Sequence, residues 1–303
     1  MISIVVPLYN AAETISETLH SLALQSFSEF EVIVVDDGSI DRGGQLAADF
    51  VALHASRMRY IHQANAGQAA ALNRGWQEAS GQYLGYLSAD DVLYPEALKI
   101  LNAFLDENKE IAVVYPDYDL IDANSKVIRL VHVPEYRVED LVEHLICQPG
   151  PGAVFRRSAF EKAGGWRTDL RLIPDFEFWL RMSRFGKMAR LPQNLAGFRV
   201  HESSQSFAIP SEAKSEEPVK VMTSFFDGET ESSELQKELA FAWAHMLSAR
   251  LHLRAGRWHW ALSHLATATL SEPTILLQKR FWHLLANGAF GRLRYQLFNS
   301  TLL

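Results

Sequence analysis

Apolar and polar positions follow two alternating rhythms over the first 115 residues. Ile2 to Leu8 is almost wholly apolar and β-branched, which predicts a parallel strand buried on both faces. Glu13 to Gln25 then sets Ile15, Leu19 and Leu22 at helical spacing. The same alternation recurs. Strands are predicted over Phe30–Val35, Met58–Ile61, Tyr83–Leu87 and Ile111–Tyr115. Helices are predicted around Leu46–Leu53, over Ala69–Ala79, and from Pro95 to about Asp106. Strands and helices in this order predict an α/β fold: a mostly parallel sheet with helices on both faces.

After Tyr115 the rhythm breaks. Leu120 to Ile128 reads as a hairpin around a polar turn. Gly150-Pro151-Gly152 and Gly164-Gly165 mark loops, and Pro174 to Phe185 reads as a short helix, so a mixed half follows the parallel one. Residues 203–234 are rich in Ser and Glu without a period and read as a linker. Beyond Leu235 the chain returns to helical spacing up to Gly256, with a second helix from Trp258 to Leu270. That pair is similar to one tetratricopeptide-like hairpin. The expected division is 1–206, an α/β domain; 207–234, a linker or mobile segment; and 235–303, a helical region.

Composition narrows the class. The chain has 303 residues, enough for about two domains, and 48% are hydrophobic, which excludes a disordered chain. The formal net charge of −7 argues against a nucleic-acid binder. That total hides a split. Residues 236–303 carry eight Lys/Arg against Glu238 and Glu272, a net of +6, which leaves −13 on the other 235 residues. Cys147 is the single cysteine and fits a reducing compartment. The N-terminus lacks the pattern of a secretory leader, and no uncharged run reaches the about 18 residues needed to span a bilayer. A soluble, cytoplasmic protein is expected.

Chemistry is expected where strands end, because open parallel sheets bind ligands outside their carboxyl edge. Tyr9-Asn10 follows the first strand, Asp36-Asp37-Gly38-Ser39 the second, and Ser88-Ala89-Asp90-Asp91 the fourth. Each alone also reads as ordinary turn and cap residues. Three on one edge favour a ligand. Adjacent carboxylates such as Asp90 and Asp91 repel unless solvated, hydrogen-bonded or joined by a cation, and hard divalent cations take such oxygens together with phosphates. Neither a G-x-x-x-x-G-K-[ST] loop nor a G-x-G-x-x-G turn is present, which argues against P-loop enzymes and dinucleotide-dependent dehydrogenases.

The order of these motifs resembles a family-two glycosyltransferase of the GT-A fold. The residues that carry the resemblance are Val5–Asn10, Gln25-Ser26-Phe27, Phe30–Ser39, Asn65-Ala66-Gly67, Ala71-Leu72-Asn73, Ala79-Ser80-Gly81 and Ser88–Asp91. Gly164-Gly165-Trp166, Asp175–Arg181 and Phe198–His201 continue it, so that about residues 1–206 are covered. The resemblance implies a nucleoside-diphosphate sugar donor, with Pro7 and Tyr9 lining the base pocket, Asp37 bonding the base, and Asn65 and Gly67 on the loop that approaches the donor. Asp90 and Asp91 would hold Mn²⁺ or Mg²⁺, Asp91 directly, and His201 could approach the metal or the diphosphate. Many members carry an acid where this chain has Ser88, which leaves the ligand count open.

Asp175 matches the family's general base, although Pro174 replaces the first carboxylate of the usual acidic pair. Glu177 is the rival base, but Arg181 at i+4 makes it an ion-pair partner instead. Phe176, Phe178, Trp179 and Leu180 read as core, and Trp166 as either core or a contact to sugar or acceptor. The expected reaction is an inverting, metal-dependent transfer to an acceptor hydroxyl of a glycan or lipid-linked saccharide. The basic, aromatic tail, with Trp258, Trp260, Phe281, Trp282, Phe290 and Phe298, reads either as a helical cap or as a surface for anionic lipid at the inner face of the membrane. A sugar nucleotidyltransferase and a non-catalytic sugar-nucleotide-binding scaffold are the alternatives. The first would want a glycine-rich basic loop after strand one, and Asp175 with Asp90-Asp91 argues against the second.

Overall fold

The computed structural model describes residues 1–200, 209–227 and 233–300, with 291–300 described by backbone alone. Two compact units emerge. One comprises Met1–Tyr136, Cys147–Thr168 and Pro174–Glu202; the other comprises Arg137–Ile146, Asp169–Ile173 and Ser203–Leu303.

The first unit is built on the predicted alternation. Strands β1 (Ile2–Leu8), β2 (Phe30–Asp36), β3 (Met58–His62) and β4 (Tyr83–Tyr86) are parallel and lie in the order β3-β2-β1-β4. Every residue of β1 is buried, as its unbroken apolar run requires. Helices α1 (Ile15–Ala23), α2 (Gly43–Leu53) and α3 (Gln68–Glu78) connect them and α4 (Ala97–Glu107) follows, and the stripe Ile15, Leu19 and Leu22 is wholly buried. Because β2 and β4 flank β1 and run parallel to it, the residues after all three emerge on one edge.

The mixed half continues the same sheet. A two-residue strand β5 (Val92–Leu93) precedes α4; then come β6 (Ile111–Ile121), β7 (Val127–Val131), α5 (Val138–Val142, in the second unit), β8 (Val154–Arg156), α6 (Arg157–Ala163), α7 (Pro174–Met182) and β9 (Lys187–Arg199). Strand β8 lies antiparallel between β4 and β6, and the sheet ends β8-β6-β9-β5. Strand β6 extends six residues past the predicted end at Tyr115, because parallel pairing with β9 and the hairpin with β7 carry it on. Antiparallel pairing of Val92 with Gly197 and Leu93 with Ala196 draws the end of β9 alongside the Asp90-Asp91 turn. A Cβ on Gly197 would lie 2.8 Å from Val92 Cγ2, so glycine permits this approach.

The second unit is helical: α8 (Glu212–Ser215), α9 (Glu217–Phe226), α10 (Glu234–Arg254), α11 (Trp258–Ser271) and α12 (Lys279–Ser300). The linker expected over 207–234 is corrected in its described part, since 212–226 is almost continuously helical. Ser211 caps α8, Pro218 sits in the first turn of α9, and Val221, Met222 and Phe226 bury its apolar stripe. A capping box of Ser233 and Gln236 starts α10, whose Trp243 is fully buried beneath the Arg280 guanidinium, 4.5 Å from the ring centroid.

Candidate active site on the carboxyl edge of the sheet

The loops after β1 and β2 are sewn together by side chains. Ser39 Oγ accepts from Asn10 N–H at 3.1 Å, and Asn10 Oδ1 accepts from Ile40 N–H at 2.9 Å. Pro7 lies buried in β1, paired with Val35, and Tyr9 stands half-exposed just beyond the strand. Asp37 is buried and already engaged. Its Oδ1 accepts from Gln63 Nε2 (2.8 Å) and Ala66 N–H (2.9 Å), and its Oδ2 from Gly67 N–H (2.7 Å). The side chain expected to bond a base therefore first of all shapes the Asn65–Gly67 loop. Its neighbour Asp36 accepts from Tyr60, Ser39 and His62; burial alone would raise its carboxyl, but these bonds outweigh burial and hold it below the ordinary range.

Asp91 is the contrast. It is buried like Asp36 and Asp37, yet among the described residues its carboxylate accepts only from the backbone N–H of Arg199, at 2.9 Å. Burial, and then the charge of Asp90 beside it, push its carboxyl well above the ordinary range. The turn itself is clamped by carbonyl bonds. The Thr14 hydroxyl donates to Ala89 O (2.8 Å), the Thr18 hydroxyl lies 2.8 Å from Asp91 O and 3.0 Å from Ala89 O, and Arg199 Nε donates to Asp90 O (2.7 Å). A fixed turn thus holds two neighbouring carboxylates, one buried and poorly compensated. Such a hard-oxygen donor set fits a divalent cation. His201, the other expected ligand, lies outside the described residues.

Asp175 sits in the first turn of α7. Tyr86 ends β4 on the carboxyl edge of the sheet. Burial raises the Tyr86 phenol well above its usual range, and the charges of Asp175, Cys147 and Asp91 add to it. Neither Tyr86 nor Cys147 stood out in the sequence, and no local pattern marks them.

Glu177 is occupied, as its spacing predicts. Arg181 pairs with it through two bonds, Nε–Oε1 at 2.6 Å and Nη2–Oε2 at 2.7 Å, and the same guanidinium donates to the carbonyls of Ala163, Gly164 and Gly165. The Gly164–Trp166 loop is held from its other side by Asn73, which donates to Trp166 O and accepts from Trp166 N–H, both at 2.8 Å. Asn73 Oδ1 would lie 2.2 Å from a Cβ on Gly165, so only glycine admits the clamp. Trp166 is 4% exposed, with its ring edge-on to Tyr86 at 5.2 Å and to Trp76 at 6.1 Å. Of the two roles open to Trp166, core packing is the one this burial favours.

In the helical unit, Glu216, His252 and His264 place potential ligand atoms within 4.8 Å of one another. Hydrogen bonding closes this cluster without a metal. Arg257 Nε can only donate, so His252 Nδ1 accepts at 2.9 Å; in the neutral ring Nε2 then carries the proton and donates to Glu216 Oε1 at 2.7 Å. His264 Nε2 reaches the same oxygen at 2.9 Å, and His245 Nδ1 meets His264 Nδ1 at 2.8 Å. His252 Nε2 thus has no lone pair to offer.

Known proteins resemble the chain in sequence and in fold. The chain is 28% identical over 247 residues to an uncharacterized glycosyltransferase of Nostoc sp., covering 75% of this chain and 74% of that one. It is 34% identical over 217 residues to an uncharacterized glycosyltransferase of Rickettsia felis, covering 69% of this chain but 35% of the relative. Two solved structures share the fold. They are Staphylococcus aureus TarS 1-349 in complex with UDP-GlcNAc (TM-score 0.67, 18% identity, 91% of each chain) and the Pyrobaculum calidifontis mannosyltransferase PcManGT in complex with GDP-Man and Mn²⁺ (TM-score 0.60, 19% identity, 99% of this chain and 83% of that one). The GT-A sheet, the carboxylates at its edge, and a match of residues 3–164 to the model of glycosyl transferase family 2 converge, and the chain belongs to that family.

Proposed function

We propose that the chain transfers a sugar from a nucleoside-diphosphate donor to an acceptor hydroxyl by a single inverting displacement, with Mn²⁺ or Mg²⁺ as cofactor. The observation that supports this reading is the Asp90-Asp91 turn at the carboxyl edge of the sheet, clamped by Thr14, Thr18 and Arg199 and carrying a buried Asp91 carboxylate that, among the described residues, accepts from a single backbone N–H. The fold neighbours in complex with UDP-GlcNAc, and with GDP-Man and Mn²⁺, support the donor class and the cofactor. Tyr9 and Pro7 receive the base, Asp37 holds the Asn65–Gly67 loop against the donor, and Asp91 with Asp90 binds the cation, with His201 as a further ligand. A cation there supplies charge stabilisation for the departing diphosphate. Asp175 takes the proton of the acceptor hydroxyl as that oxygen bonds the anomeric carbon and the carbon–diphosphate bond breaks. The acceptor is a glycan or lipid-linked saccharide, met at the cytoplasmic face of a membrane that the basic helices touch.

The test uses two variants with UDP-GlcNAc and GDP-mannose as probes, each with Mn²⁺. Asp175→Asn is expected to keep donor affinity in calorimetry while transfer or donor hydrolysis falls at least ~10²-fold. Asp91→Ala is expected to lose the metal-dependent part of donor binding. Full activity in the first variant, or unchanged metal dependence in the second, removes the assigned role.

A further inference from the structure

The Arg199 side chain is 1% exposed, although it carries a permanent charge. All three of its nitrogens are used. Nε donates to Asp90 O (2.7 Å); Nη1 donates to Asp122 O (2.9 Å), Ala123 O (3.2 Å) and Ser125 Oγ (3.0 Å); and Nη2 donates to Glu17 Oε2 (2.7 Å). Its own backbone N–H donates to Asp91 Oδ1. The guanidinium thereby joins α1, the β6–β7 turn and the Asp90-Asp91 turn at the last residue of β9.

We propose that Arg199 is the positioning residue of the cation site: it locks the Asp90-Asp91 turn so that the Asp91 carboxylate faces a divalent cation ready-made. The inference rests on the reading that Asp91 binds that cation. The arrangement has a chemical logic. A guanidinium paired directly with Asp91 or Asp90 would neutralise the carboxylate and compete with a metal. Arg199 instead grips the turn through a main-chain carbonyl and, among the described residues, makes its ion pair with Glu17, whose side chain is 45% exposed. It fixes the geometry of the turn through main-chain atoms, its guanidinium bonding the Asp90 carbonyl and its N–H the Asp91 carboxylate. Lysine, with one nitrogen on a flexible stem, cannot span three segments at once.

Mn²⁺ binding to the full chain, followed by electron paramagnetic resonance, tests this, with Mn²⁺ titrated alone and again with UDP or GDP. Measurements are made below the melting transition of each variant, with circular dichroism as the check on folding. Arg199→Lys is expected to bind Mn²⁺ about 10- to 100-fold more weakly with an unchanged spectrum, as loss of a ligand-orienting group does. Glu17→Gln removes the charged partner alone and carries the test if Arg199→Lys does not fold; a weakening of about 3-fold is expected, the scale of one half-exposed ion pair. Affinity retained by the folded Arg199 variant while Asp91→Asn loses it overturns the positioning role alone. Affinity retained by Asp91→Asn overturns the metal reading on which the role rests.

Discussion

Buried carboxylates on this sheet divide by how many donors each one meets, and Asp117 marks the satisfied extreme. It is 1% exposed and accepts from Arg190 Nη2 (2.6 Å) and Nε (2.8 Å), from His132 Nδ1 (2.9 Å) and from Val133 N–H (3.0 Å). Burial works to raise its carboxyl, but these bonds win and hold it at about 2. A carboxyl depressed in the folded state stabilises fully above its unfolded value near 4, and that stability disappears as the pH falls toward 2. Asp117→Asn is expected to cost about 2 kcal/mol at neutral pH and to flatten the acid limb of denaturant stability between about pH 4 and 2. An acid limb as steep as that of the parent would count against the assignment. Asp91, with a single backbone donor among the described residues, lies at the other extreme, and that difference sets the proposed metal carboxylate apart from Asp117. Nothing in the sequence distinguishes the two cases. Asp90-Asp91 was legible as a pair, and so was Glu177 with Arg181 at i+4, because both are local. The bond from Arg199 to Asp91 joins residues 108 apart, and strand pairing alone creates it.

The same rule holds for whole elements. The parallel strands and α1 to α4 were readable because each carries its own period and its own bounding turn. The described helices of 212–226 were not, since Ser and Glu dominate their surface and the buried stripe of α9 is short. A further reason lies in Glu217, a charged residue that is 4% exposed. Its carboxylate accepts from three successive backbone N–H groups, Arg171 (2.7 Å), Leu172 (2.7 Å) and Ile173 (3.0 Å), and so anchors the 169–173 segment to α9. In sequence, a glutamate there reads as solvated. Glu217→Ala strands those donors and is expected to destabilise the helical unit by about 1–3 kcal/mol. Hydrogen exchange is the measurement. Protection should fall in 169–173 and in α9 while β1 and β2 stay protected, and equal protection in both regions would show that the anchor does not matter.

At the scale of the molecule, the charge split decides how the chain can meet its surroundings. No helix among the described residues is long and apolar enough to cross a membrane. The helical unit exposes Trp258, Trp260, Leu262, Leu270, Leu277, Trp282 and Phe290. Aromatic and aliphatic groups beside Lys/Arg suit a lipid interface, where rings enter the headgroup layer and each basic group near an anionic surface adds about 1 kcal/mol. Not every basic residue is available for this: Arg280 donates to His144 O and Leu145 O and stacks on Trp243. The full chain is therefore expected to float with vesicles containing phosphatidylglycerol at low salt, and not with neutral vesicles. Raising the salt should release most of it, because screening removes the charge attraction and leaves only the apolar contact. Trp258→Ala combined with Trp282→Ala should weaken the low-salt binding without altering donor affinity, since neither residue lies in the sheet unit that carries the active site. Equal recovery on anionic and neutral vesicles would leave the +6 of the tail without a lipid role.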